Sequence, residues 1–412
     1  MNLLVADEKN RILDILTFLP CGQSGDVLSC LKEADLIPLP KGSDLFFLPD
    51  RDPVGWNKTA REFQIVSGAR PVAAFLPPGY TILHTTAYRE RPSAGLLPLF
   101  SYAPVAWHRG RHYVPAIQVD RRKNHDLCGL DRKDLSRRIR AFSKTENRLI
   151  RHLMLCAEGH GCPNAINFFL GKYEAPLPTS PSCNARCLGC ISSQPKGSCP
   201  PTQPRLTFVP TAEEIAEVAL RHFEKVPRGV ASFGQGCEGE PLLQARVIAK
   251  AIRLIRQKTS DGTIHMNTNA SRPDDLTGLL EVGLNSIRVS MNSVRKEYYT
   301  RYYSPKGYSF EDVIRSIRAA KKSERFVALN YLVMPGFTDR AGEIRALRSF
   351  IKKYGIDMVQ WRNMNFDPHR YFERLTGSSP EKPLGMRTLM GTLRREFPRL
   401  KHGYFNVPKQ DF

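Results

Sequence analysis

The sequence predicts an α/β fold in two domains, on three observations. From residue 174 onward, short extended runs alternate with amphipathic helical segments, the pattern of a parallel sheet covered by helices. Before residue 174 the periods are mixed and broken by proline and glycine, as in a small α+β unit. The length, 412 residues, exceeds what one small core organises. The boundaries fall at 1–173 for the N-terminal α+β domain, 174–365 for the repeating domain, and 366–412 for a C-terminal extension of one or two helices.

In chain order, residues 3–18 predict a helix, after which Pro38, Pro40, Pro49 and Pro53 interrupt the chain. Residues 71–76 and 112–119 read as strands. Leu135, Ile139, Phe142, Leu149 and Leu153 recur every three or four residues and predict one helix over 131–155. Arg137, Arg138, Arg140, Lys144, Arg148 and Arg151 lie between them. Such a basic face either tracks phosphates or faces water. The glycine-rich loop that follows holds Cys156, His160 and Cys162, with Cys128 just before the helix and Cys199 further on. Cys128, Cys156 and Cys162 are candidates for an iron–sulfur cluster or a zinc ion, additional to the cysteine loop at 183–190. The alternative is a set of unrelated thiols.

The repeating domain then reads unit by unit. Thr211 and Glu214 form a capping box for a helix that carries Ile215, Val218 and Phe223 on one face. Extended runs at 229–233, 263–269, 286–292, 327–333 and 358–363 alternate with helices at 242–255 and 273–282, and with helices opened by Ser309 and by Thr338. With the run before residue 183, this makes six strand–helix units. Six units joined by right-handed crossovers close part of a barrel, a partial (β/α)6 barrel of the TIM type. In such barrels the working residues sit at the C-terminal ends of the strands.

The first of those ends holds Cys183-Asn-Ala-Arg-Cys187-Leu-Gly-Cys190. Three thiolates spaced by three and then two residues converge from one loop. They are one ligand short of the four that an iron–sulfur cubane takes, so one iron stays open. A structural zinc site takes four, usually from two paired units. The C-x3-C-x2-C loop after a strand, at the head of a strand–helix series, resembles the cluster loop of the radical S-adenosylmethionine superfamily. That resemblance implies a 4Fe–4S cluster on Cys183, Cys187 and Cys190, with S-adenosylmethionine on the open iron. It also implies reductive cleavage to a 5′-deoxyadenosyl radical. One departure is Gly189, where the family often carries an aromatic residue.

The other strand ends extend the resemblance. Gly234-Gln-Gly-Cys237-Glu238-Gly239-Glu240-Pro241 resembles the family's Gly-Gly-Glu-Pro motif, with Glu238 in place of the first glycine. By that resemblance Gly239 and Glu240 hold the amino group of S-adenosylmethionine. Cys237 falls beside the same centre, as a substrate-side ligand, a hydrogen-atom donor or a packed turn residue. Asn267-Thr-Asn269 ends the third strand, and Ser290-Met-Asn292 the fourth. Short hydroxyl and amide side chains there suit ribose hydroxyls. Met334-Pro-Gly336-Phe-Thr-Asp339 resembles the family's adenine-side segment, with Asp for Glu. The resemblance therefore assigns Gly239, Glu240, Asn269, Ser290, Asn292 and Met334 to the cosubstrate. Gln360, Trp361, Arg362 and Asn363 at the sixth strand are candidates for the substrate pocket.

Composition narrows the rest. No apolar run reaches the roughly 18 residues of a membrane span, and the N-terminus lacks a secretory pattern. Ten cysteines in such a chain suit a reducing, cytoplasmic compartment. The 61 Lys and Arg residues outnumber the 40 Asp and Glu by 21, and the excess is spread over both domains. A spread basic field suits an RNA or protein substrate, or is equally a solvated surface with no such partner, and the resemblance implies an electron donor such as flavodoxin or ferredoxin. The other classes that fit are an iron–sulfur or nucleic-acid-binding protein without radical chemistry, and a zinc-binding interaction module.

Overall fold

The computed structural model describes residues 1–375 and 381–412. Residues 1–118 form antiparallel β-structure in two sheets, of nine and six strands. Leu4, Ala6, Val72, Ala74, Ile82, Val105, Val114 and Ala116 fill the core under the larger sheet. The helix expected over 3–18 is a hairpin instead: Asn2–Ala6 pairs antiparallel with Ile12–Ile15. Asp7 is the reason. Its Oδ1 accepts from the N–H groups of Lys9 and Arg11, at 2.9 and 2.8 Å, and Asn10 takes a φ of +62°. That closed polar turn competes with a helix.

Helices α1 (Arg132–Arg140), α2 (Arg148–Gly159) and α3 (Pro163–Leu170) link this β-structure to the barrel. The single helix expected over 131–155 is two. Asn147 breaks it by capping α2 at Ile150 N–H (3.0 Å) while its amide donates to the Glu214 carbonyl (3.0 Å) and Glu217 (2.9 Å). Much of the basic face is paired within the chain. Arg137 and Arg138 bind Asp134, and Arg148 binds Glu214.

The barrel is a parallel sheet of seven strands: Glu174–Pro176, Val230–Phe233, Thr263–Thr268, Ser286–Met291, Phe326–Val333, Met358–Asn363 and Lys401–Gly403. Its outer layer includes α4 (Ala212–Lys225), α5 (Ala245–Lys258), α6 (Pro273–Glu281), α7 (Lys296–Tyr303), α8 (Phe310–Lys322) and α9 (Ala341–Tyr354). Capping boxes start α4 at Thr211 and α8 at Ser309, and a left-handed Gly355 ends α9. Thr338 does not cap α9, which starts at Ala341; its hydroxyl accepts from Met334 N–H at 2.9 Å. The C-terminal extension supplies α10 (Pro368–Leu375), α11 (Met386–Glu396) and the seventh strand, which pairs with Met358–Gln360. Residues 376–380 of that extension lie outside the described residues. Among the described residues no helix is long and apolar enough to cross a membrane.

The β-rich N-terminal domain docks on the C-terminal end of the sixth strand. Asn363 accepts from Ile82 N–H (3.0 Å) and donates to the Tyr80 carbonyl (3.0 Å). Nearby, Arg51 and Asp367 form an ion pair at 3.1 Å with both side chains buried. Asp367 also accepts from Leu97 N–H, and Arg51 donates to Glu90 and Gly95. A buried charge that loses its partner is costly, about 3–5 kcal/mol. Arg51 keeps Glu90 at 2.8 Å, so Asp367→Ala is expected to lower unfolding stability by less than that, about 1–3 kcal/mol in urea titration; a loss below about 0.5 kcal/mol would mean that the pair does not hold the two domains together.

Candidate active site

The C-terminal ends of the strands open on a cavity of about 560 Å³. Cys183, Cys187 and Cys190 line it together with Gly239, Glu240, Asn267, Asn269 and Ser290. The structure thus brings the three loop cysteines and the Glu240 carboxylate to one space, as expected from the sequence. Phe75, Leu76 and Pro78 of the N-terminal domain form part of the wall, a contribution with no local signature in the sequence.

The cysteine loop is held through its main chain on both sides. Arg186 and Leu188 donate their N–H groups to the carbonyls of Tyr303 and Tyr302, at 2.8 and 3.1 Å. Gln194 Nε2 donates to the Leu188 and Cys190 carbonyls at 3.0 and 2.8 Å. Gly189 has a physical cause: a Cβ there would stand 3.0 Å from both the Tyr302 hydroxyl oxygen and the Asn365 carbonyl. The aromatic ring absent from position 189 is matched by Tyr302 of α7 packed beside it. The sequence reading missed α7, although Tyr298, Tyr299, Tyr302 and Tyr303 carry a helical spacing.

Glu238 is the residue that organises the loop. Its carboxylate is buried and accepts four backbone N–H groups: Gly234 (2.6 Å) and Gln235 (2.7 Å) on Oε1, Thr179 (2.7 Å) and Ser180 (2.9 Å) on Oε2. It joins the first strand end, just before Cys183, to the second. Burial pushes its carboxyl up to about 7, and the four donors oppose that shift. Gly239 completes the joint. A Cβ there would meet the Ser182 carbonyl at 1.9 Å, and the Gly239 and Glu240 N–H groups bond the Ser180 and Ser182 carbonyls at 2.7 and 2.9 Å. The close approach that glycine permits here is to the chain itself.

Glu240 is buried, and its Oε1 accepts from Leu242 N–H (3.1 Å) and the Thr268 hydroxyl (2.5 Å). Oε2 accepts from Asn269 N–H at 2.8 Å. Asn269 Nδ2 in turn donates to Asn184 Oδ1 inside the cysteine loop, at 2.8 Å. Burial raises the Glu240 carboxyl to about 7. Burial pushes the Cys183 thiol up to about 11, with Glu240 adding to it, and pushes Cys187 well above its ordinary value. Thiols held this way ionise on taking up metal. Arg205 Nη2 stands 3.4 Å from Cys190 Sγ, a cation suited to thiolate charge. Three convergent thiols, this cation and a rigid loop fit an iron–sulfur cluster.

Other expected residues lie elsewhere. Asn292 is fully buried, its Nδ2 shared at 3.3 Å between the Tyr298 carbonyl and the Tyr371 hydroxyl, and it does not line the cavity. Met334 and Asp339 are buried away from it as well. Of the sixth-strand residues, Arg362 and Asn363 line the cavity, while Trp361 is buried with Nε1 donating to His402 at 3.0 Å. The grouping of Cys128 with Cys156 and Cys162 does not form. Cys128 is exposed beside Gly42, whereas Cys156 and Cys162 line the cavity. Cys199 is buried next to Ser198.

Glu238→Gln replaces an acceptor with an NH2 group facing backbone donors. It is expected to lower unfolding stability by roughly 3 kcal/mol and to reduce the iron retained after reconstitution. Wild-type stability and full iron in this variant would show that the carboxylate does not order the loop.

A family model described as the radical SAM superfamily matches residues 177–347, from the cysteine loop to α9. The FeMo cofactor biosynthesis protein NifB of Klebsiella pneumoniae is 25% identical over 190 residues, 42% of this chain. The match spans 40% of that relative's length. Among solved structures, methylornithine synthase aligns with a TM-score of 0.40 and 16% identity, over 67% of this chain and 74% of that one. A radical SAM methyltransferase from Sphaerobacter thermophilus aligns with a TM-score of 0.39 and 15% identity, over 55% and 63%. With the C-x3-C-x2-C loop and Glu240 on one cavity of a parallel partial barrel, residues 177–347 of this chain carry a radical SAM superfamily domain.

Proposed function

We propose that this chain is an enzyme that cleaves S-adenosylmethionine reductively, with Cys183, Cys187 and Cys190 as the ligands of a 4Fe–4S cluster. The observation that carries this reading is the convergence of the three thiols and the Glu240 carboxylate on one cavity. When bound, the cluster supplies the electron that splits the sulfonium and frees a 5′-deoxyadenosyl radical for the substrate. Glu240 receives the ammonium group of the cosubstrate: its Oε2 has a single protein donor and keeps capacity to accept. Ser290 lies on the cavity wall within the reading for the ribose. The N-terminal domain, through Phe75, Leu76 and Pro78, narrows access of water to the site. An electron donor such as flavodoxin or ferredoxin completes the half-reaction.

The substrate reading is RNA or protein presenting an anionic group. Arg288 and Arg362 both line the cavity, and the Nε atoms of both are buried without a partner, as is Asn330 Oδ1. Burial and then the Arg362 charge press the Arg288 guanidinium below its usual value, with Glu174 opposing. Two neighbouring half-buried cations favour an anion between them.

Anaerobic reconstituted protein, given a strong reductant and S-adenosylmethionine, is expected to release 5′-deoxyadenosine, and Cys187→Ala to release none. Glu240→Gln is expected to keep its iron and to bind S-adenosylmethionine about 10- to 100-fold more weakly, the loss of roughly 1.5–3 kcal/mol for a charged hydrogen bond. A Cys187→Ala variant as productive as wild type sinks the cluster assignment; wild-type affinity in Glu240→Gln sinks the ammonium grip. Binding of bulk RNA that falls by orders of magnitude between roughly 50 and 200 mM salt supports RNA as substrate. Flat or absent binding favours protein.

A further inference from the structure

The loop cysteines are not the only metal-ligating groups on the cavity. His152 and Cys156 are four residues apart on α2 and share a face. Cys237 comes from the turn after the second barrel strand. A ring nitrogen of His152 and the Sγ atoms of Cys156 and Cys237 all lie within 4.8 Å of one another, the group of this kind found among the described residues. His152 Nε2 stands 3.4 Å from Cys156 Sγ. Four ligands at the roughly 2.0–2.3 Å bond lengths of a tetrahedral zinc site stand about 3.3–3.8 Å apart. The three donors need only side-chain adjustment to reach that geometry.

We propose that His152, Cys156 and Cys237 form a second metal site, a tetrahedral zinc centre whose fourth position opens on the cavity. Two thiolates and an imidazole suit zinc and disfavour hard cations. A cluster spreads its thiolates over several irons, so donors this close fit one ion better. Cys156 and Cys237 are both buried and both line the cavity, whereas His152 is not among the lining residues and stands behind them. The imidazole ring meets Phe208 edge-on at 6.2 Å between centroids, which restrains it. Cys162 and His160 lie on the same wall but outside the compact group, so the fourth position is left to an oxygen or sulfur donor of the substrate. A closed structural site has no such vacancy. The metal assignment stands apart from the radical reading; the role of the open position rests on it.

The test is metal retention in the full chain, read apart from activity. Protein is loaded with zinc(II), freed of loose metal by gel filtration and analysed for zinc and iron; a parallel sample is loaded with cobalt(II) for its absorption spectrum. About one zinc per chain is expected, with thiolate-to-cobalt charge-transfer bands and tetrahedral d–d bands. His152→Gln and Cys237→Ser are each expected to weaken zinc binding at least tenfold, while Cys187→Ala loses iron and keeps its zinc. Circular dichroism checks that each variant folds, and His152, half-exposed, is the substitution least disruptive to packing. The proposal is overturned if wild type retains no zinc, or if His152→Gln and Cys237→Ser leave zinc unchanged. It is also overturned by an iron content twice that of one cluster that both variants halve, or by a Cys156–Cys237 disulfide in peptide maps of protein kept under reducing conditions.

Discussion

One buried carboxylate determines where the reactive loop sits. Glu238 takes two N–H groups from the approach to the cysteine loop and two from the turn after the second strand. A carboxylate that saturated holds both segments with charge-assisted bonds. Gly239, with no Cβ, lets the chain close on Ser182, and Glu240 follows immediately, aimed at the third strand end. Asn269 returns the connection to Asn184 inside the loop. The circuit of Glu238, Glu240, Asn269 and Asn184 fixes three strand ends against one another before any cofactor binds. Preorganisation of this kind is what a site gains from being built on a rigid scaffold.

The second constraint comes from outside the barrel. A partial barrel leaves the mouth of its sheet open, and the N-terminal β-structure covers part of it. The Arg51–Asp367 pair and the Asn363 bonds to Tyr80 and Ile82 fix that cover at the sixth strand. Its residues Phe75, Leu76 and Pro78 then add apolar side chains to the cavity wall. On the remaining walls, the cysteine loop, the Arg288–Arg362 pair and the thiols of Cys156 and Cys237 share a single space, an arrangement suited to a substrate that contacts several of them at once.

Local chemistry made much of this legible in the sequence. The Thr211 and Ser309 capping boxes and the left-handed Gly355 act within one helical turn, and the cysteine spacing acts within one loop, so each could be read directly. Non-local determinants could not. The Asp7 turn is local, but the strand Asn2–Ala6 before it is held in the sheet by Pro71 and Ala106, partners that only the fold provides. Glu238 looked like a departure from a glycine motif because its four donors come from two distant segments. Cys156 was visible as a metal-ligand candidate, but its spatial neighbours are Cys237 and His152 rather than Cys128. Asn292 and Met334 have suitable side chains at suitable strand ends, yet packing by Tyr298 and Tyr371 buries the first, and the turn toward Thr338 buries the second. The seventh strand, three residues long and far from the sixth in sequence, carries no periodic signal of its own.

The central claim is that the loop thiols hold a cluster with an iron left open for S-adenosylmethionine. Its most direct measurement is the electron paramagnetic resonance spectrum of the anaerobically reconstituted, dithionite-reduced chain, recorded with and without S-adenosylmethionine. The account predicts the signal of a reduced 4Fe–4S cluster whose g values shift when the cosubstrate is added. A cluster signal that stays unchanged under saturating S-adenosylmethionine, or the absence of any cluster signal in protein that has taken up iron and sulfide, would contradict it.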